Sequence, residues 1–281
     1  MIITERGLNK SLVPVRRMKG KNIQFPFTWT VEEDGKQFEC SLSDYWTTAN
    51  FMATDVIANC YASLNSDKIQ KKEPVFTNFT VLEYVDPDPI RFTTEDFRRL
   101  TGQKNLCRKE ITELVIETSK IELSIVYPIL YFEDIKKGRN KGNQKVRQHY
   151  QPLKNQHIFR VESGGDHYTV IFDSLLGRLF CHNIQLKGFN QLPDNFYDLP
   201  KPAQLVYRRF LSHIYKAHPI KLHIENIAAL LNLETKVEGM LKHGIVKNIL
   251  EPLKKNNPPL ISSYDYHDLF NERFFMLEFD L

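Results

Sequence analysis

One order of elements occurs twice along this chain, and that repeat constrains the fold more than any single motif. In the first copy, SLSDYWTTANFMATDVIANCYASL (41–64) reads as a helix, with Ser43 as its expected N-cap and Leu42, Trp46, Ile57 and Tyr61 at helical spacing. FTTEDFRRLTG (92–102) reads as a short helix that Thr94 caps and Gly102 ends. KNLCRKEITELVIETSK (104–120) follows with an apolar period of a longer helix. Strand-like IELSIVYPILYF (121–132) comes next. QHIFRVE (156–162) and HYTVIFD (167–173) then flank Ser163-Gly164-Gly165-Asp166, a hairpin signal.

The second copy keeps the order. LPKPAQLVYRRFLSHIYKA (199–217) reads as a helix with Pro202 near its start, and KLHIENIAALLNL (221–233) as a short helix. VKNILEPLKKNNPPLISSY (246–264) carries the end of a longer helix, kinked by Pro252, straight into a strand. FFMLEFDL (274–281) closes the chain, with Phe275, Leu277, Phe279 and Leu281 alternating as on a half-buried strand. Two helices joined by a turn and backed by a small sheet, whose hairpin is the wing, make a winged helix. The expected fold is therefore α+β, with two tandem winged-helix domains. An N-terminal arm plus the first winged helix spans 1–187, and the second spans 188–281. Residues 1–40 read as an extended arm with a strand in NIQFPFTWTVEE, and a polar loop with prolines runs on to Ile90.

A net charge of +4 decides little, but its distribution does. Residues 135–161 hold no Asp or Glu, yet carry Lys136, Lys137, Arg139, Lys141, Lys145, Arg147, Lys154 and Arg160. The polar stretch from Lys136 to Arg147 is expected to be a mobile loop that follows a phosphate backbone as a wing or arm. From 191 to 281, basic and acidic residues are equal in number. Cys40, Cys60, Cys107 and Cys181 are scattered with no C-x-x-C spacing, so reduced cytoplasmic thiols are expected rather than a zinc site. No secretory signal and no membrane span are expected.

YTVIFDSLLGRL, FYDLPKPAQLVYRRFL, IENIAALLNL, VKNILEPLKKNNPPLISSY and FFMLEF together resemble the plasmid replication initiator family. These are the two-winged-helix Rep proteins of theta-replicating bacterial plasmids, which bind iterons. The resemblance runs from about residue 168 to 281, and the N-terminal 90 residues match poorly. It implies binding to repeated double-stranded DNA sites at an origin, opening of the adjacent duplex and loading of the host replicative helicase. It also implies a homodimer through the first winged helix when the protein represses. The chain departs from the family where paired arginines correspond to Lys247 and Asn248. One charge is kept, and the two-pronged arginine–guanine contact gives way to Asn–adenine pairing or phosphate contacts.

On this reading Lys242, His243, Lys247 and Asn248 face DNA, while Val246, Ile249, Leu250 and Leu253 take the core side. Lys104, Asn105, Arg108 and Lys109 stand at the expected start of the corresponding helix in the first copy, where basic groups hold phosphate. Arg208 and Arg209 reach phosphate or form salt bridges. Tyr264, Tyr266 and His267 lie in the second wing, in a turn or against DNA. For the 242–248 face the ordinary alternative is a solvated helix surface, and for Lys104, Asn105, Arg108 and Lys109 it is a purely structural role.

Enzyme chemistry finds little support. The chain has no His-x-His pair of the kind that rolling-circle initiators use, no phosphate-binding G-x-x-x-x-G-K-[ST] and no G-x-S-x-G. Asp86 and Asp88 in VDPDP form an acidic pair that could hold Mg²⁺, and Cys181-His182 reads as structural. No catalytic residue, metal or cofactor is expected. A non-enzymatic origin-binding initiator is the leading reading. A winged-helix transcriptional regulator without origin melting is the second, and a primase-like enzyme using Asp86 and Asp88 the third.

Overall fold

In the computed structural model the described residues are 2–12, 23–33, 35–78, 83–134, 144–164, 167–212, 218–231, 233, 238–269 and 272–279. The first long helix, α1 (Thr48–Leu64), begins at Thr47 rather than Ser43. The Thr47 hydroxyl accepts from the Ala49 N–H at 3.2 Å, and the Asn50 side chain accepts the Thr47 N–H at 2.7 Å. That reciprocal cap outcompetes Ser43, whose hydroxyl instead accepts the Glu122 N–H at 2.8 Å. The described residues among the first 40 include the expected strand but are not all extended. Glu5 caps the short helix Arg6–Ser11, accepting from the N–H groups of Gly7 and Leu8, and Leu8 and Leu12 are buried. Strands β1 (Phe27–Glu33) and β2 (Lys36–Leu42) then pair antiparallel.

The chain divides into two compact units, a larger one of Ile3–Leu100 and Lys104–Phe189 and a smaller one of Asn190–Leu281 with the short pieces Met1–Ile2 and Thr101–Gln103. In the larger unit, β3 (Ile90–Thr93) runs straight into α2 (Thr94–Thr101). Thr93, not Thr94, is the cap: its hydroxyl accepts the Asp96 N–H, and the Asp96 carboxylate accepts the Thr93 N–H at 3.0 Å. Gly102 ends the helix with a φ of +71°, a conformation that costs glycine no steric strain. Helix α3 (Arg108–Lys120) buries Ile111, Val115 and Thr118. Two hydrogen bonds fix it, from the Asn50 amide to the Thr118 hydroxyl at 3.0 Å and between the Thr112 and Tyr168 hydroxyls at 2.7 Å.

Between α3 and the hairpin β6 (Arg160–Gly164) and β7 (His167–Ile171) comes a long insertion. It consists of β4 (Leu123–Asp134) and β5 (Gln144–Gln156), which extend β1 and β2 into a sheet of order β1-β2-β4-β5. The expected basic loop is thus partly strand: Lys145 and Arg147 lie on β5, while Lys136, Lys137, Arg139 and Lys141 fall outside the described residues. Helix α4 (Leu175–Gln185) closes the unit, and its His182 is 1% exposed. The Phe76 N–H donates to His182 Nδ1 at 3.2 Å, so Nε2 carries the proton and donates to the Leu130 carbonyl at 2.7 Å. Burial pushes this imidazole down to about 4, so it is neutral at physiological pH.

The smaller unit starts from a helix over 201–211, here α5, with Pro202 in its first turn. Strand β8 (Ile220–His223) leads directly into α6 (Ile224–Leu231), so the first three residues of the expected short helix, Lys221 to His223, are strand. The helix over 238–255, here α7, is built of three successive segments, Glu238–Ile245, Val246–Leu250 and Glu251–Lys255. Strands β9 (Ser263–Leu269) and β10 (Glu272–Glu278) finish the unit. Tyr266 and His267 therefore lie on a strand, not in a turn. Leu222, Ile227, Leu231, Ile245, Ile249, Leu250, Leu253, Phe275 and Leu277 form its core.

The chain is α+β with several small sheets, and two of them share one plan. Sheet order is β3-β7-β6 in the larger unit and β8-β10-β9 in the smaller. In both, a four-residue strand feeds a short helix, a longer helix follows, and the last strand of a hairpin takes the middle of the sheet.

Candidate nucleic-acid interface

Helix α7 is amphipathic, and its outer face is polar. Leu241, Ile245, Ile249, Leu250 and Leu253 are buried, while His243, Lys247 and Asn248 are exposed. The i, i+4 spacing of 243 and 247 puts them on one side, as the periodicity requires. Val246, expected in the core, is only half-buried.

Pro252 shapes this face from below. A proline at 252 has no N–H to donate, and its ring meets the carbonyl four residues back. The chain answers with one widened turn: the Glu251 N–H donates to the Val246 carbonyl, five residues back. The helix continues through Pro252 to Lys255. The irregularity thus falls under Lys247 and Asn248, not beyond them.

The sheet holds several of the cations on this face. The Lys242 ammonium lies 3.5 Å from the centre of the Tyr266 ring on β9, a cation–π contact that leaves the side chain half-buried. The Tyr264 hydroxyl donates to Glu251 at 2.6 Å, and Lys255 pairs with the same carboxylate at 2.8 Å. Lys255 and then Tyr264 hold the Glu251 carboxyl below its usual range, and Glu251 in turn pushes the Tyr264 phenol up to about 12. His267 stacks on Phe274. Lys247 has no partner among the described residues. The Asn248 amide nitrogen donates to the Gly244 carbonyl at 3.0 Å, which leaves one N–H and the amide oxygen to offer outward.

The matching helix of the larger unit differs. Lys104 and Asn105 lie in the turn ahead of α3, not in its first turn, because Cys107 is the N-cap and Glu110 reaches back to the Cys107 N–H at 2.7 Å. Arg108 and Lys109 do occupy the first turn and are exposed. Past them the exposed face is acidic, with Glu110, Glu113 and Glu117, and Lys109 leans toward Glu113 at 3.8 Å. Arg147 pairs with Glu133 across the β4–β5 hairpin at 2.7 Å, which raises its own pKa.

Two further expectations change. Arg208 is 2% exposed, with its guanidinium 4.8 Å from the centre of the Phe196 ring, so it packs inside the smaller unit rather than reaching phosphate. Asp86 and Asp88 each pair with a different cation, Asp86 with Arg178 and Asp88 with Lys68, both at 3.1 Å. No helix among the described residues is long and apolar enough to cross a membrane.

No protein-family model matches the chain, and no curated protein matches it. Among solved structures it is similar to a crystal structure of RctB domains 2-3 (RctB-155-483), with a TM-score of 0.53 and 9% identity over 98% of this chain and 97% of that one. A crystal structure of selenomethionine derivatives of domain 2 and domain 3 of RctB matches with a TM-score of 0.47 and 11% identity over 91% of each chain. At 9% identity the first is a likeness of fold, and it extends across both units.

Proposed function

We propose that this chain is a non-enzymatic, sequence-specific double-stranded DNA-binding protein that acts as a replication initiator, with each unit a winged helix. The observation that carries the reading is the outer face of α7. His243, Lys247 and Asn248 stand exposed on a helix whose other side is buried and packs on α5, while Tyr264 and Tyr266 of β9 hold Glu251 and Lys242. That is the geometry by which a helix enters a major groove, with an ammonium for phosphate or guanine and an amide for adenine. Support also comes from the repeated sheet order, from the fold likeness across both units, and from the sequence resemblance to two-winged-helix initiators.

In this proposal the smaller unit reads sequence. The larger unit contributes phosphate contacts through Lys104, Arg108 and Lys109, and it forms the homodimer. Asn105 and the basic residues from Lys136 to Arg147 add backbone contacts. Origin repeats are the target, and duplex opening and recruitment of the host helicase follow binding, in the cytoplasm of a plasmid-bearing bacterium.

Binding to a duplex from the region upstream of the protein's own gene, against a scrambled duplex and across salt concentrations, tests this. The expected result is selective binding that weakens steeply with salt and falls by about tenfold in Lys247→Ala. Equal, weak binding to both duplexes would remove the initiator reading.

A further inference from the structure

Gly244 lies within the first segment of α7, between His243 and the exposed pair Lys247 and Asn248. A glycine inside a helix costs about 1 kcal/mol relative to alanine. Within a folded chain that cost is offset by a left-handed backbone, by crowding, or by an irregular turn that needs a bare Cα. None of the three applies to Gly244.

Its φ is not positive: among the described glycines only Gly35 and Gly102 take that conformation. It is not crowded. Among the described residues a Cβ built there meets nothing within 4 Å, whereas one at Gly188 lies 2.8 Å from the Asn183 carbonyl oxygen, and one at Gly177 collides with the Ile158 carbonyl oxygen. Nor does the widened turn that follows require it. The same five-residue hydrogen bond occurs in α5, where Ser212 N–H donates to the Tyr207 carbonyl, and the sequence KPAQLVYRRFL there has no glycine. The free protein therefore has no use for this glycine that alanine would not serve better.

We propose that Gly244 is the point of closest approach between α7 and DNA, a bare stretch of backbone that lets the helix lie deep in the major groove. This rests on the DNA-reading role of α7 argued above and adds what that role demands of the helix. The side chains framing Gly244 explain the need. Asn248 and His243 are short, and they reach base edges only if the helix axis comes nearer to the bases than a long arginine would require. The Asn248 amide folds back onto the Gly244 carbonyl, so the amide and the bare Cα form one contact surface. Its remaining N–H and its oxygen still make the two-pronged pattern that adenine accepts. A methyl at 244 would lift that surface off the bases without disturbing the chain.

The experiment compares wild type with Gly244→Ala, Gly244→Leu and Lys247→Ala. The probe is the duplex that wild type enriches from a random-sequence library, with a scrambled duplex as reference, and thermal unfolding is followed in parallel. The expected result is a melting temperature for Gly244→Ala equal to or above wild type. Its affinity for the enriched duplex falls about tenfold, and falls further for Leu, while binding to the scrambled duplex changes little. Wild-type affinity and selectivity in Gly244→Ala, alongside a weakened Lys247→Ala, would overturn the close-approach role and leave the DNA-reading role standing. A lowered melting temperature in Gly244→Ala would overturn it too, by showing a structural use for the glycine. If wild type enriches no duplex, the DNA-reading role itself fails, and this inference fails with it.

Discussion

Helices α3 and α7 occupy the same slot in two sheets of the same strand order, and their outer faces are opposite in character. Past Lys109, α3 exposes Glu110, Glu113 and Glu117 before the single cation Lys120 in its last turn. Helix α7 exposes His243, Lys247, Asn248, Lys254 and Lys255, and the half-buried Glu251 is tied to Lys255 and Tyr264. The shared plan presents a helix, and the chemistry of the presented face decides what the helix is for. On the proposed reading a polyanion would meet like charge along most of α3 and is expected to favour its basic N-terminal turn, while α7 offers it the exposed cations Lys247, Lys254 and Lys255.

The largest expected effect follows from that difference. Lys247→Glu reverses a free charge in the centre of the α7 face and is expected to weaken duplex binding about a hundredfold. Lys109→Glu, on a helix already acidic and at a residue leaning toward Glu113, is expected to cost about threefold or less. Equilibrium binding of both variants at one fixed salt concentration makes the test. Equal losses would show that the two helices meet DNA alike, and would break the division of labour drawn here.

A second contrast lies inside the units. The larger one encloses neutral His182 between two backbone groups, whereas the smaller one encloses Arg208 against an aromatic ring. The folded pKa of His182 is depressed to about 4, against an ordinary value of 6.5. Its contribution is therefore fully present above pH 6.5 and is lost as pH falls toward 4, because the unfolded chain takes up the proton first. At pH 5 the larger unit is expected to lose on the order of 2 kcal/mol relative to pH 7. His149, also depressed by burial, adds in the same direction. Both tryptophans of the chain, Trp29 and Trp46, belong to the larger unit, so their fluorescence during urea unfolding reports that unit alone. The midpoint is expected to shift down at pH 5 in wild type and to shift much less in His182→Gln. An equal shift in the variant would assign the acid sensitivity elsewhere.

How much of this was legible in the sequence depended on whether the signal was local. The outward placing of 243 and 247 and the burial of Ile249, Leu250 and Leu253 follow from helical spacing alone, and the structure has them so, with Val246 the exception at half-buried. The strands β3 and β8 were missed for one physical reason. Each is four residues long and abuts a helix, so its alternation merges with the helical pattern, and its identity comes from pairing with β7 or β10 far along the chain. β5 was read as a loop because QKVRQHYQPLKNQ is polar on both faces, yet its backbone pairs with β4 along nearly its whole length. Cap positions slipped where two candidates stand close together, as at Thr93 and Thr94. Lys242 was legible as a basic residue on α7, but not as a partner of Tyr266, because the expected strand stops at Tyr264 and Tyr266 was placed in a turn or against DNA. Gly244 carried no sequence signal except lowered helix propensity, and only the open space around it gives it meaning.

The smallest expected effect asks what holds α7 to its sheet. Two ties are available: the Tyr264–Glu251 hydrogen bond at the surface, and the packing of Ile249, Leu250 and Leu253 in a core shared with Phe275 and Leu277. Buried apolar side chains of this size each outweigh a single exposed hydrogen bond, so packing is expected to position the helix. Tyr264→Phe keeps the ring and removes only the hydroxyl. A melting-temperature change of about 2 °C or less and a DNA affinity within about threefold of wild type are expected at pH 7. The sign with pH is fixed by the raised phenol. The bond is intact below the unfolded tyrosine value of 10 and is lost as pH rises through about 12, so the variant and wild type converge only at extreme alkalinity. An affinity loss above about tenfold with unchanged unfolding would reverse the ranking of the two ties. It would make the polar contact between β9 and α7 the element that aims the helix, a device that α3, fixed through Thr112 and Tyr168, would then be seen to share.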